Sequence, residues 1–263
     1  MAGSFTDYAE NAMLDDILGT TSLPAVTPYL GLHIGDPLDT GAGGAEVTGN
    51  NYSRVALTMG APSSRASVQS ADANFPQAVG GDWGTVTHYQ IYDASSGGNA
   101  IGNGALSSSL LVSENDTPTI ASGEVDITIS AAGCSTYLAH AIINHLLRNT
   151  AFTEPTIYLA LCSAAILDAD GGGDITELTM TDYARLAHAA WDAASGGATE
   201  NTGAATWGTA LTGSGQTIEA FCLTDNTGTG AGNVLFYNNT ISQALASGNT
   251  PRFIDGALDI TLG

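Results

Sequence analysis

The stretch Asp116 to Ile129, DTPTIASGEVDITI, returns near the end of the chain as Asn249 to Leu262, NTPRFIDGALDITL. Thr-Pro, Gly and Asp-Ile-Thr keep their places. The apolar positions between them match as Ile120 with Phe253, Val125 with Leu258 and Ile129 with Leu262. A repeat at fixed spacing restricts the fold more than any local propensity, because both copies must settle into one topology. Further landmarks keep the same order. Tyr29-Leu30-Gly31-Leu32 matches Tyr158-Leu159-Ala160-Leu161, and Tyr52-Ser53-Arg54 matches Tyr183-Ala184-Arg185. Gly43-Gly44-Ala45-Glu46-Val47 parallels Gly172-Gly173-Asp174 followed by Glu177-Leu178, and Asp93 pairs with Asp225. The small insertions fall in Gly/Ser/Asn-rich stretches, where loops tolerate length changes.

Two domains follow, residues 1–131 and a diverged copy at 132–263, with the junction between Ser130 and Cys134. Each half is long enough to bury a core of its own. Each opens on a helix. Phe5 to Leu18 carries Phe5, Tyr8, Ala12 and Ile17 near helical spacing, with Ser4 as the expected N-cap and Gly19 as the stop. Its copy is Ser135 to Arg148. Strand patterns follow at Thr27 to Ile34, Tyr52 to Met59, Thr85 to Tyr92, Ile101 to Ser107 and Val125 to Ile129, separated by turn-rich loops. The expected fold class is mainly β: two similar lobes, each a short N-terminal helix plus a small antiparallel β-sandwich.

Charge narrows the function. The chain has 26 acidic residues against 5 basic ones, all Arg, for a formal net charge of −21. Phosphate backbones need clustered cations, so nucleic acid is disfavoured as a partner. No apolar run approaches the roughly 18 residues of a membrane span, and MAGSFTDYAEN has neither the basic nor the apolar region of a secretory signal. Cys134, Cys162 and Cys222 all lie in the second half with no C-x-x-C spacing, which reads as buried, reduced thiols.

Motifs for chemistry are weak. Asp168, Asp170 and Asp174 mimic the start of a calcium loop, but Gly172 and Thr179 stand where further oxygen ligands belong, so a solvated turn is expected. His140 and His145 lack the spacing that would put them on one helix face. His33 and His88 face Cys162 and Ala220 in the copy, so no histidine chemistry is shared by the halves. No G-x-S-x-G, phosphate loop or H-E-x-x-H occurs, and no acidic pair repeats with aromatic walls as a glycosidase would need. The expectation is a protein that is not an enzyme and uses neither cofactor nor metal. The repeated pairs Tyr52/Arg54 and Tyr183/Arg185, with Trp83, are the candidate interface residues. The competing reading stacks each Arg on Tyr within its own sheet and leaves Trp83 at the core edge.

Taken together, several passages resemble one family. They are the helix ending near Leu18-Gly19, Tyr29-Leu30-Gly31-Leu32, Tyr52-Ser53-Arg54, Trp83-Gly84-Thr85-Val86-Thr87-His88, Gln90-Ile91-Tyr92-Asp93-Ala94, Asn103-Gly104-Ala105-Leu106 and the closing Asp126-Ile127-Thr128-Ile129. This order resembles the tail fibre-like virion structural proteins of tailed bacteriophages. The second half departs from it, with Gly215-Gln216-Thr217-Ile218-Glu219 and Leu223-Thr224-Asp225-Asn226 in the corresponding places. The resemblance implies a non-enzymatic virion component, assembled in the host cytoplasm, and transfers no catalytic residue. The first expectation is a cement protein that decorates the capsid and bridges neighbouring subunits. Its partners would be the major capsid protein or other virion proteins, with a homo-oligomer on the particle and no membrane or nucleic acid. The alternative is a tail or tail-fibre component that binds a host receptor.

Overall fold

The computed structural model describes residues 3–130 and 133–262. The chain is mainly β, with two helices, one at the start of each half. Helix α1 spans Asp7–Ile17 and α2 spans Thr136–Leu147. The first helix begins later than its sequence pattern suggests. Ser4–Phe5 is instead a short strand paired with Gly102–Asn103, and the cap passes to Thr6. The Thr6 hydroxyl accepts from the Ala9 N–H and donates to the Ala100 carbonyl, 2.6 Å away. Ser135 does the same for α2, accepting from Leu138 and donating to Val234. Each cap thus satisfies an orphan helix donor and ties the helix to its own sheet.

The first lobe is built on one antiparallel sheet. Its order is Ser4–Phe5, Ala100–Val112, Gly84–Tyr92 and Tyr29–Ile34, with Ala45–Glu46 and Val55–Ala56 both paired to Tyr29–Ile34. The second lobe keeps the centre of this order: Val234–Asn238, Ala220–Thr224, Tyr158–Cys162 and Leu186–Ala187. Its remaining edges shrink to single bridges, Cys134 to Phe236 and Glu177 to Cys162. The long first-lobe hairpin carries an irregularity between Val86 and His88. In the second lobe the hairpin divides, and Gln216–Ile218 with Gln243–Leu245 forms a separate ribbon. The expected strand Tyr52 to Met59 pairs with Tyr29–Ile34 at Val55–Ala56 and forms one isolated bridge from Met59 to Gln69. Its flanks are bound elsewhere, Tyr52 to the turn carbonyl of Gly49 and Leu57 to Pro28.

Two ribbons close each lobe in matching register. Asp126–Thr128 pairs with Ala66–Val68 as Asp259–Thr261 pairs with Ala198–Glu200. Ala73–Asn74 pairs with Thr119–Ile120 as Ala205–Thr206 pairs with Arg252–Phe253. One side chain locks each closure. The Gln69 amide accepts from the Val125 N–H and donates to Ala71 and Ile120; Asn201 accepts from Leu258 and donates to Gly203 and Ile254.

The two helices bridge the lobes. Helix α1 packs on Ala100–Val112 of its own lobe and on Ala198–Glu200 of the second, and α2 packs on Val234–Asn238 of its own lobe and on Ala66–Val68 of the first. Their apolar faces, Met13, Leu14 and Ile17 with Ile142, Ile143 and Leu146, belong to one core that runs through both lobes. Polar bonds stitch its rim. Asn11 and Asp15 accept from the N–H groups of Gly197 and Ala194, each at 2.9 Å, and Val26 donates to the His145 carbonyl. Arg65 crosses the same seam to the Cys134 carbonyl at 2.6 Å and to Asp168 at 2.7 Å, and it also binds the carbonyls of Ile129 and Ser130.

Candidate functional site

The repeated polar residues converge on one arrangement per lobe. In the first lobe, pairing of Ala45–Glu46 with Tyr29–Ile34 carries the Glu46 carboxylate to Tyr52 and Arg54. Arg54 grips Glu46 through Nε and Nη2, both at 2.8 Å, a two-point geometry that a guanidinium supplies and an ammonium does not. It also donates to the carbonyls of Ala94 and Gly97 and stands 3.1 Å from the centroid of the Tyr92 ring. The Tyr52 hydroxyl donates to Glu46 and accepts from the Leu32 N–H. Burial pushes the Glu46 carboxyl upward, and the Arg54 bonds more than reverse it, leaving it below the usual range. Burial holds the Tyr52 phenol well above its ordinary value.

The second lobe repeats this box in a more buried setting. Tyr183 donates to Glu177 and accepts from the Leu161 N–H, while Arg185 grips Glu177 at 2.8 and 3.2 Å. Thr224 replaces the Tyr92 ring, and Arg185 bonds its hydroxyl and the carbonyls of Asn226 and Ala231. The Arg185 and Glu177 side chains are 0% and 7% exposed, against 10% and 22% for Arg54 and Glu46. A surface groove of 320 Å³, lined in part by Thr48, Ser95 and Gly97, opens onto the first box.

The structure therefore places Tyr52, Arg54, Tyr183 and Arg185 together in pairs, each pair with a glutamate. Their polar groups bind within their own lobe. Trp83 joins the first box through its aromatic neighbours. It is buried, its indole N–H donates to the Asn50 carbonyl, and its ring meets Tyr52 edge-on at 5.2 Å. Glu46 and Glu177 complete the boxes but were not grouped with them from sequence. The signal was available, since both copies read Glu, then Tyr six residues on, then Arg two further.

Other candidate groups have structural partners. Asp170 and Asp174 accept from the N–H groups of Leu167 and Gly171 inside their own turn, and Asp168 binds Arg65, Thr136 and Tyr237. Among the described residues, no three His, Cys, Asp or Glu side chains are grouped to hold a metal ion. His33 meets the Tyr92 hydroxyl, which donates to Gln90. The second lobe fills the His33 and Gln90 positions with Cys162 and Cys222, both buried free thiols. The adjacent Cys162 thiol, together with burial, holds Cys222 well above the ordinary thiol range. No helix among the described residues is long and apolar enough to cross a membrane.

The family model described as podophage GP4 fiber I protein gp80 matches residues 4–128 and, separately, residues 133–261. The chain belongs to this family. It carries the family's sequence twice in tandem, and each copy begins just before a helix and ends at its closing ribbon. Membership makes it a virion-associated structural protein of the phage fibre class. No curated protein matches the chain.

Proposed function

We propose that the protein is a non-enzymatic component of a phage tail fibre that engages the host surface. The observation that carries this reading is the pair of fibre-family units joined by helices that bridge them. Their strongest polar constellations, the two Glu–Tyr–Arg boxes, brace the lobes from within. Such internal braces suit a rigid building block, because a box already satisfied by its own lobe has little capacity left to act on a substrate. Immunogold labelling of intact virions tests the location, and competition of purified protein with phage adsorption tests the role. Label at the fibre and reduced adsorption are expected. Fibre label without competition would reduce the role to a fibre structural part.

Capsid decoration is a second reading, favoured by the two like lobes in one chain. Two weak contacts on neighbouring major capsid protein subunits would reinforce one another through their linkage. Label distributed over the head, and regular density on capsids reconstituted with the protein, would select it.

A further inference from the structure

Each helix borders an open groove whose apolar wall, Leu23 or Phe152, packs against the shared core, and the two grooves occupy equivalent positions in the repeat. The first, of 390 Å³, is lined by Tyr8, Ala12, Asp15, Thr21 and Leu23 among others. The second, of 290 Å³, is lined by the corresponding Tyr137, Ala141, Asn144, Thr150 and Phe152. Tyr8 is 40% exposed and Tyr137 is 44% exposed.

The surrounding helix positions show how far the copies have diverged. Asp7, Glu10 and Asp16 of α1 become Thr136, Ala139 and His145 in α2, and Asn11, which lines the first groove, becomes His140, which does not line the second. Through those changes the groove keeps its tyrosine, its alanine and its threonine. Asp15 becomes Asn144, a planar polar group of the same shape, and Leu23 becomes Phe152, still apolar. What persists is an exposed aromatic ring beside a small aliphatic floor, bordered by a planar polar group and a hydroxyl.

We infer that these twin grooves are saccharide subsites that take neutral glycan units. An exposed tyrosine ring offers a flat apolar face to the C–H face of a pyranose, with its hydroxyl at the edge. One oxygen of Asp15 is held by Ala194 and Thr20 and that of Asn144 by Arg148, which leaves the second Asp15 oxygen, the Asn144 amide N–H and a threonine hydroxyl to meet the donors and acceptors of sugar hydroxyls. The alanine leaves room for the ring to lie down, and both volumes fall near the small end of ligand clefts. Acidic glycans are disfavoured by the net charge of −21 and by Asp15 in the first groove. Two subsites in one chain suit a surface glycan of repeating units, where linkage turns weak single contacts into firm attachment.

The inference rests on the host-surface reading above, and the experiment separates the two. Purified full-length protein is applied to a printed array of neutral hexose, deoxyhexose and N-acetylhexosamine oligosaccharides, with sialylated and sulfated ones as acidic controls. The same preparations are tested for retention on host cells. Wild type is expected to bind neutral saccharides. Tyr8→Ala and Tyr137→Ala should each weaken binding, and the double variant should lose at least tenfold on the array and on cells. Tyr8→Phe with Tyr137→Phe keeps both rings and should retain most binding. Unchanged melting of all variants guards against misfolding. Binding confined to acidic saccharides, no neutral saccharide bound, or a double alanine variant that binds like wild type would overturn the subsites. Undiminished retention of that variant on cells would do so while leaving the host-surface reading standing. Tyrosine-dependent binding to another virion protein in place of glycan would assign the grooves to particle assembly instead.

Discussion

At the scale of the residue, three of the five arginines carry most of the ionic architecture. Arg54 and Arg185 do the same work in different surroundings. Glu46 keeps contact with solvent through the groove above it, whereas Glu177 is sealed beside an Arg185 side chain with no exposure. Removing one partner of a sealed pair strands a buried charge, so Arg185→Met is expected to cost about 3–5 kcal/mol. The partly solvated Arg54→Met should cost about 1–2 kcal/mol. Urea unfolding of both variants checks the order, and equal losses would show that burial of the second box does not strengthen dependence on its arginine. Arg65 is a different case. It occupies a left-handed position, φ 67°, in a turn that in the second lobe holds Gly197 at φ 70°. A side chain there costs roughly 1–2 kcal/mol of backbone energy relative to glycine. Its four contacts, two to Ile129 and Ser130 in its own lobe and two across the seam to Cys134 and Asp168, offset that cost. Arg65→Met retains the backbone cost and loses those bonds, so a loss of about 2 kcal/mol is expected in the same assay. A neutral result would mean the seam does not depend on this residue.

At the scale of the element, local signals in the sequence account for the helices and the closing ribbons. The alternation of Val125, Ile127 and Ile129 with polar neighbours reports a half-buried strand directly, and such a strand closes the first lobe. The boxes were only partly legible, because Glu46 reaches Arg54 through pairing with a strand that precedes both. The seam was illegible for a sharper reason. It depends on the turn Ser63 to Ala66, whose two central residues have positive φ, yet Ser64-Arg65 lacks the glycine or asparagine signature of such a turn. Its copy, Gly196-Gly197, carries the signature openly. There the missing side chain matters, since a Cβ on Gly197 would lie 2.5 Å from a Glu10 carboxylate oxygen. Burial, followed by the charges of Asp39 and Asp7, pushes the Glu10 carboxyl up to about 8. A raised carboxyl pKa means that the fold favours the protonated form. The stabilisation is complete below the ordinary value of 4.5 and is lost as pH rises through about 8. Thermal melting should therefore fall between about pH 4.5 and 8 in wild type, and Glu10→Gln should flatten that slope. An identical slope in the variant would assign the effect to other groups.

At the scale of the whole molecule, the bridging helices make the tandem more than two modules on a string. Each lobe keeps its helix on its own sheet and also presents it to a ribbon of the other lobe. The contact is thus approximately two-fold and closed, as in an isologous dimer, with the covalent junction added to an interface complete without it. Linkage holds both halves at high effective concentration, which lets the copies diverge at individual contacts without parting. The seam shows such divergence: Arg65 makes it on one side, whereas the backbone of Gly197 and Ala194 makes it on the other. A protease site inserted between residues 130 and 133 of the full chain tests this directly. Because the core runs through both helices and the rim bonds persist without the junction, the cleaved halves should co-migrate on a sizing column under native conditions. They should separate only under denaturant, at a lower concentration than unfolds the intact chain, since cutting removes the advantage of linkage. Immediate separation in buffer would show instead that the junction, and not the bridging helices, holds the two fibre-family units together.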